Sequence, residues 1–296
     1  MRTTFRPAAY LRPGSVEEAV RILTEEPERC RLIAGGTDLL VQKPAEAEIL
    51  VDVAGLGLGK IALTDGHLRV GAAVTVAELE RAEPVLRHPC LTILAEAAGM
   101  LGTPGVRNRA TIGGNLCNGS PAADLAVAAL ALGADVEITG PHGVRRMPLT
   151  DFFRDVNLTA LESGEMVSVV EVPVEPLDPT TAARAAGAFF KLRRHQSSVD
   201  IATVNVATVL YLDGGVITDA RVALGAVAEV PFVSEAAAAA LAGHEPLDEV
   251  LRAAGAAAAA ETRPISDIRA SAEYRREMTA VLVRRALEEA VRRCRA

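Results

Sequence analysis

The sequence predicts an α+β protein of two domains, the second placing its strands before its helices. Three observations lead there. Over residues 1–176 short apolar runs alternate with helical periods. Over 185–296 strand-like runs come first and three helical stretches follow. Between them, 173–179 carries prolines and reads as a linker. A length of 296 residues accommodates two such units. No internal repeat is visible.

The elements follow in order. Residues 5–13 hold Pro7 and Pro13 and read as extended. Ser15 to Glu18 has capping-box spacing, and Val16, Ala19, Val20 and Leu23 mark one face of a helix ending near Pro27. A strand at 31–34 runs into a glycine loop, and Leu39, Leu40 and Val41 start a helix that Pro44 stops. A strand at 49–53 precedes Gly55, Gly57 and Gly59. Residues 60–63 and 67–72 form a hairpin around Asp65-Gly66. Thr75 caps a helix over 76–81, and a longer helix at 91–100 is broken by Gly102, Pro104 and Gly105.

Residues 111–124 read T-I-G-G-N-L-C-N-G-S-P-A-A-D. The spacing predicts a glycine turn, then Ser120 as N-cap, Pro121 at the first helical position and Asp124 in the first turn of an apolar helix at 122–132. A hairpin at 135–138 and 144–147, a helical turn at 149–153 and a strand at 167–172 complete the first half. In the second, strands at 188–192 and 202–212 flank a polar loop with Arg193, Arg194, His195, Gln196 and Ser197. The turn Asp213-Gly214-Gly215 leads to Val216-Ile217 and a further strand at 220–227. Helices follow at 234–241, 247–260 and 271–293.

Composition removes several function classes. Half the chain is hydrophobic and only 3% aromatic, so Ala and Val fill the cores. A net charge of −7 and a pI near 5.4 argue against a general nucleic-acid binder. Cys30, Cys90, Cys117 and Cys294 contain no C-x-x-C, which argues against a zinc site or a cysteine-ligated cluster in this chain. Free thiols and a start without an apolar leader predict a cytoplasmic protein. No run suits a bilayer; the alanines at 236–240 belong to a soluble helix.

Other signals have bland readings beside their sharp ones. His195 with Arg193 and Arg194 lines an anionic site or simply a solvated loop. His67, His88, His142 and His244 are too scattered for a metal site. Cys117 reads as a small buried filler rather than a reactive thiol. Arg275, Arg276, Arg284, Arg285, Arg292, Arg293 and Arg295, beside Glu277, Glu288 and Glu289, read as a solvated helix face, or more sharply as a docking face. No Ser-His-Asp or Cys-His constellation has spacing support. The two glycine stretches suit close approach of a phosphate to outward backbone N–H groups. On residue chemistry alone they are two turns able to bind an anion, with the ligand unnamed.

Taken together, three segments carry a resemblance. A-G-G-T-D-L at 34–39, R-N-R-A-T-I-G-G-N-L-C-N-G-S-P-A-A-D at 107–124 and S-D-I-R-A-S-A-E-Y-R-R at 266–276 resemble the medium, flavin-binding subunits of the molybdenum hydroxylases. That family includes xanthine dehydrogenase and aerobic carbon monoxide dehydrogenase. The likeness covers nearly the whole chain in order, from F-R-P-A-A-Y-L-R-P-G-S-V-E-E-A at the start to A-L-G-A-V-A at 223–228.

The resemblance implies a two-lobed FAD-binding domain of the vanillyl-alcohol-oxidase (PCMH) type at 1–176, with lobes about 1–57 and 58–176, and a smaller C-terminal domain like that of the CO dehydrogenase flavoprotein at 185–296. It implies FAD contacts from Leu32, Ile33, Ala34, Gly35, Gly36, Thr37, Asp38 and Leu39, the loop wrapping the pyrophosphate with backbone N–H groups. Thr111, Ile112, Gly113, Gly114 and Asn115 form the second contact stretch. Asp124 makes a polar contact, Val167 a backbone contact, and Lys191 reaches the cofactor from the C-terminal domain. No catalytic acid, base or metal ligand is implied in this chain.

The implied role is an oxidoreductase relay. A small [2Fe–2S] subunit receives electrons from a large molybdopterin-cofactor subunit and passes them to FAD here, which delivers them to NAD, oxygen or a quinone. The expected assembly is a dimer of heterotrimers. Two rivals remain at this point: a stand-alone flavin reductase of the same fold, and a flavin-free assembly scaffold. No G-x-G-x-x-G followed by an acidic residue marks a nicotinamide site.

Overall fold

The structure, a computed structural model, describes residues 5–174, 184–194 and 200–296. The first body holds β1 (Ala9–Leu11), α1 (Val16–Glu25), β2 (Cys30–Ile33), α2 (Leu39–Gln42) and β3 (Ile49–Asp52). Its three strands pair in parallel in the order β1-β3-β2. Ser15 accepts from the Glu18 backbone N–H, while the Glu18 carboxylate reaches past Ser15 to the Gly14 N–H at 2.8 Å. The capping box is thus displaced by one residue on its return side. Ala19, Val20 and Leu23 of α1 pack with Val51 and Val53 in a small core of their own.

The second body contains β4 (Ile61–Thr64), β5 (His67–Gly71), α3 (Val76–Arg81), α4 (Glu83–Arg87), α5 (Thr92–Gly99), α6 (Pro104–Arg107), α7 (Ile112–Cys117) and α8 (Asp124–Ala131). It continues with β6 (Asp135–Gly140), β7 (Gly143–Pro148), a 3-10 turn at Leu149–Asp151, β8 (Phe153–Asp155), β9 (Leu158–Thr159) and β10 (Met166–Pro173). Five strands form an antiparallel sheet in the order β4-β5-β10-β6-β7. The last strand in sequence therefore lies at its centre. Asp65 and Gly66, at φ 50° and 74°, close the expected hairpin. Thr75 and Glu78 complete a full capping box on α3.

The third body is β11 (Arg184–Leu192), β12 (Val204–Asp213), β13 (Val216–Gly225), β14 (Phe232–Val233), α9 (Glu235–Leu241), α10 (Asp248–Glu261) and α11 (Ala272–Cys294). Its four antiparallel strands follow chain order. Successive side chains alternate faces. Ala185, Phe189, Ala207, Val209 and Ala223 join the core of the second body. Ala186, Val204, Val206, Leu210 and Val222 join a separate core under α9, α10 and α11. All eight residues of α8 are buried, because the helix packs against β12 and β13 on one side and α5 on the other.

Four sequence expectations need correction. Residues 112–117 are helical, not a turn, because Thr111 caps them by accepting from the Gly114 N–H at 3.1 Å. Ser120 does not cap the next helix; its hydroxyl accepts from Ala122 within a preceding turn, and α8 starts at Asp124 after an uncapped Ala123. The expected break between 217 and 220 is absent: Thr218 is a bulge within β13, unpaired between the Ile217–Leu212 and Asp219–Tyr211 pairs, and the strand runs on through it. Arg275 is not on a solvated face: its guanidinium is buried and donates to the Thr203 and Ala226 carbonyls at 2.7 and 2.9 Å and to Asp267 at 2.7 Å. The linker at 175–179 and His195, Gln196 and Ser197 lie outside the described residues.

Candidate functional site

The first glycine stretch leaves β2 and enters α2. Ile33 is buried and Leu32 packs in the small core, so these two anchor the strand end. Gly36 sits at φ +71°, a conformation only glycine adopts without strain. Among the described residues, the backbone N–H groups of Gly35, Gly36, Thr37 and Asp38 have no protein acceptor. Four consecutive N–H groups without a protein acceptor beside a left-handed glycine are the backbone pattern that suits an anion.

Gly35 has a second duty. A Cβ there would lie 1.8 Å from the Arg109 carbonyl oxygen. The missing side chain lets the first stretch press directly on the backbone that leads into the second. Gln42 of α2 adds a bridge by donating to the Asn118 side chain at 2.8 Å. The structure thus brings the two glycine stretches together.

The second stretch spends its donors differently. Ile112 N–H donates to the Val74 carbonyl and Gly113 N–H to the Ala72 carbonyl, each at 3.0 Å. Gly114 N–H goes to Thr111 Oγ1 and Asn115 N–H to the Thr111 carbonyl. Gly113 is glycine because a Cβ would meet Ala72 at 2.7 Å. What remains is an exposed Gly114 and the Asn115 side chain, whose buried Oδ1 has no partner. A buried amide oxygen without a donor is costly unless a ligand completes it. Val167 lies on β10, which packs against α7.

Asp124 and Lys191 meet each other. Lys191 Nζ donates to Asp124 Oδ2 at 2.5 Å and to the Met100 carbonyl at 3.3 Å, both side chains being nearly fully buried. An ammonium has three donors, so one is left. Burial raises the Asp124 carboxyl above its ordinary range, and Lys191 and Asn205 pull it back. Asn205, on β12, completes the group by donating to Asp124 Oδ1 at 2.8 Å. Sequence reading passed over Asn205; a lone amide inside the apolar run V-N-V-A-T-V-L was the available signal. Asn205 Nδ2 also reaches the Ala122 carbonyl at 3.4 Å, and among the described residues no hydrogen bond joins this group to 34–39 or 111–115.

Residues 3–175 match the family described as the FAD binding domain in molybdopterin dehydrogenase, and 187–290 match the CO dehydrogenase flavoprotein C-terminal domain. This chain belongs to that flavoprotein family. It is an FAD-binding subunit of the molybdenum hydroxylase type, and an oxidoreductase component. The carbon monoxide dehydrogenase medium chain of Afipia carboxidovorans is 35% identical, with 97% of each chain covered. A putative xanthine dehydrogenase FAD-binding subunit of Escherichia coli is 33% identical over 96% of each. The flavoprotein fold superposes on a chain of the carbon monoxide dehydrogenase of Hydrogenophaga pseudoflava with a TM-score of 0.91 at 33% identity, covering 98% of this chain and 99% of that one. For quinoline 2-oxidoreductase of Pseudomonas putida 86 the TM-score is 0.86 at 30% identity, with 98% and 99% covered.

Of the remaining candidates, Cys117 falls on the bland side. Cys117 packs against the main core of this flavoprotein, and burial pushes its thiol up to about 12, far from a reactive thiolate. No group of His, Cys, Asp and Glu among the described residues could hold a metal ion. No helix among them is long and apolar enough to cross a membrane. Asp267 of the late motif organises a local knot. Burial alone would raise its carboxyl, but the Arg269 N–H, the Arg275 and Arg269 guanidiniums and the Ala270 N–H hold it well below the usual range.

Proposed function

We propose that this chain holds FAD through two different surfaces and serves as one link in an electron relay. The observation that carries the reading is the run of four free N–H donors at 35–38, set against the unpaired Asn115 Oδ1. A pyrophosphate needs donors when it leaves water, and backbone amides supply them without long side chains. Ala34, Gly35, Gly36, Thr37, Asp38 and Leu39 would hold the pyrophosphate. Thr111, Ile112, Gly113, Gly114 and Asn115 would pack along the cofactor, with Asn115 offering its acceptor. Leu32 and Ile33, at the end of the strand that presents the first loop, and Val167, through its backbone, would complete the FAD contacts.

When bound, FAD would supply one- and two-electron redox chemistry that no side chain here provides. The chain's own residues bind it, orient it and set its electrostatic surroundings. Asp124 holds the Lys191 ammonium, whose remaining donor and positive charge would favour the reduced, more negative cofactor. No proton-shuttling residue of this chain is needed for that role.

The domain division follows the same reading: an FAD-binding unit at 1–176, with lobes about 1–57 and 58–176, and a C-terminal unit at 185–296. The partners would be a small [2Fe–2S] chain and a large molybdopterin-cofactor chain in a cytoplasmic complex, arranged as a dimer of heterotrimers. The terminal acceptor would be NAD, oxygen or a quinone. Co-expression with such small and large chains from the same genomic region tests this. The expected result is a stable yellow complex whose flavin is reduced only when both partners are present. A lone chain that turns over a substrate at full rate would overturn the relay.

A further inference from the structure

Three residues stand in line across the third sheet. Lys191 on β11 pairs with Asn205 on β12, and Asn205 pairs with Gly225 on β13. Directly paired residues on adjacent strands point to the same face. The lysine, the amide and the glycine therefore share the face that meets the start of α8, where Asp124 sits. Asn205 is fully buried. Its Nδ2 donates to Asp124 Oδ1 at 2.8 Å and lies 3.4 Å from the Ala122 carbonyl, and its own Oδ1 has no donor.

Packing does not ask for this arrangement. An apolar side chain in the same place would avoid the unpaired oxygen. Gly225 leaves room for it, since a Cβ there would come within 2.3 Å of the Asn205 Oδ1, and also within 2.6 Å of Val127 and 3.0 Å of the Pro121 carbonyl. A fully buried sheet position is thus given up to hold one amide against one carboxylate oxygen. We propose that Asn205 is a positioning residue for Lys191: by occupying Asp124 Oδ1 it confines the lysine to Oδ2 and aims its remaining donor toward the bound cofactor.

The physical reason lies in the two oxygens. A carboxylate with both free can be shared by the three donors of an ammonium, which then turns inward. A neutral donor on Oδ1 removes that option without cancelling the negative charge. It also stabilises the ionised Asp124 in a buried place where desolvation works against it.

This inference rests on the reading that Lys191 faces FAD, and the test separates the two. The probes are FAD affinity and the flavin reduction potential of the full chain in Asn205→Ala, Asn205→Ser and Lys191→Gln, with thermal unfolding as control. Lys191→Gln keeps a donor to Asp124 but deletes the charge, and is expected to lower the potential. Asn205→Ala is expected to lower it in the same direction by less, and to weaken FAD binding about tenfold, the size of one hydrogen bond to a charged group. Asn205→Ser, with a shorter donor, should recover part of both. If Asn205→Ala does not fold, Asn205→Val carries the same reading, because it removes the amide and fills its space. A loss of thermal stability with potential and affinity unchanged, while Lys191→Gln moves both, would show Asn205 to be structural only and overturn the proposal. If Lys191→Gln moves neither, the placement of Lys191 at the cofactor fails, and the positioning role fails with it.

Discussion

The two glycine stretches look alike on paper and do opposite things with their backbone. Residues 35–38 leave four N–H groups free, while the N–H groups of 112–115 are all bonded within the protein. Gly36 is glycine for its positive φ; Gly113 is glycine because Ala72 lies where its Cβ would be. The first stretch is a donor surface. The second is a capped helical turn that offers a smooth backbone and one side-chain acceptor. Glycine content marks where a chain comes close to something, without saying whether that is ligand or protein.

The comparison can be broken most forcefully at Gly35, where the stretches touch. Gly35→Ala would drive a Cβ into the Arg109 carbonyl at 1.8 Å, which only backbone movement can relieve. The expected cost is about 3 kcal/mol or more, with FAD lost on purification. Calorimetry and flavin content measure both. Gly36→Ala should act more narrowly. Left-handed strain at φ +71° costs about 1–2 kcal/mol and turns the free donors away, so the FAD Kd should rise while the 112–117 helix stays intact.

The second stretch should respond in the reverse sense. Thr111→Ala removes a cap and should cost about 1 kcal/mol of stability, with a smaller change in FAD affinity than Gly36→Ala. Gly114→Ala meets only the Thr111 hydroxyl, at 3.1 Å. Stability should hold or rise by up to about 1 kcal/mol from helix propensity, while FAD binding weakens because the smooth face is lost. A variant series in which stability and affinity moved together at all four positions would erase the distinction between the stretches.

The smallest expected effect lies far from both. The Arg292 guanidinium, with Arg293, holds Glu289 down from the ordinary 4.5 to about 2. A carboxylate with a depressed folded pKa contributes fully above its unfolded value and loses that contribution as pH falls through the folded one. Stability from this pair should therefore decline between about pH 4.5 and 2. Glu289→Gln should flatten that slope in acid unfolding curves and leave FAD affinity alone.

Much of the fold was legible because period and caps agreed. Thr75 and Glu78 set the start of α3, Asp65-Gly66 set a hairpin, and the last three helices begin within a residue of their expected starts. Residues 112–117 were hidden because two glycines argue against a helix, and only the Thr111 cap and its tertiary bonds to Val74 and Ala72 overrule them. Ser120-Pro121 looked like a helix start, yet the buried α8 takes its place from the core around it. Arg275 looked solvated by periodicity, but its acceptors, Thr203 and Ala226, are distant in sequence. The two glycine stretches stand out in the sequence by composition, while Asp124 and Lys191 enter only through the family resemblance. That the latter two pair, and that Asn205 completes them, depends on strand register that no local pattern encodes.

Residue-resolved amide exchange with and without FAD tests the central claim most directly. The account predicts that the amides of Gly35, Gly36, Thr37 and Asp38 exchange rapidly in the free chain and become protected when FAD binds. Those of Ile112, Gly113 and Gly114 should be protected in both states. Protection gained at 112–114 instead, with 35–38 unchanged, would contradict it.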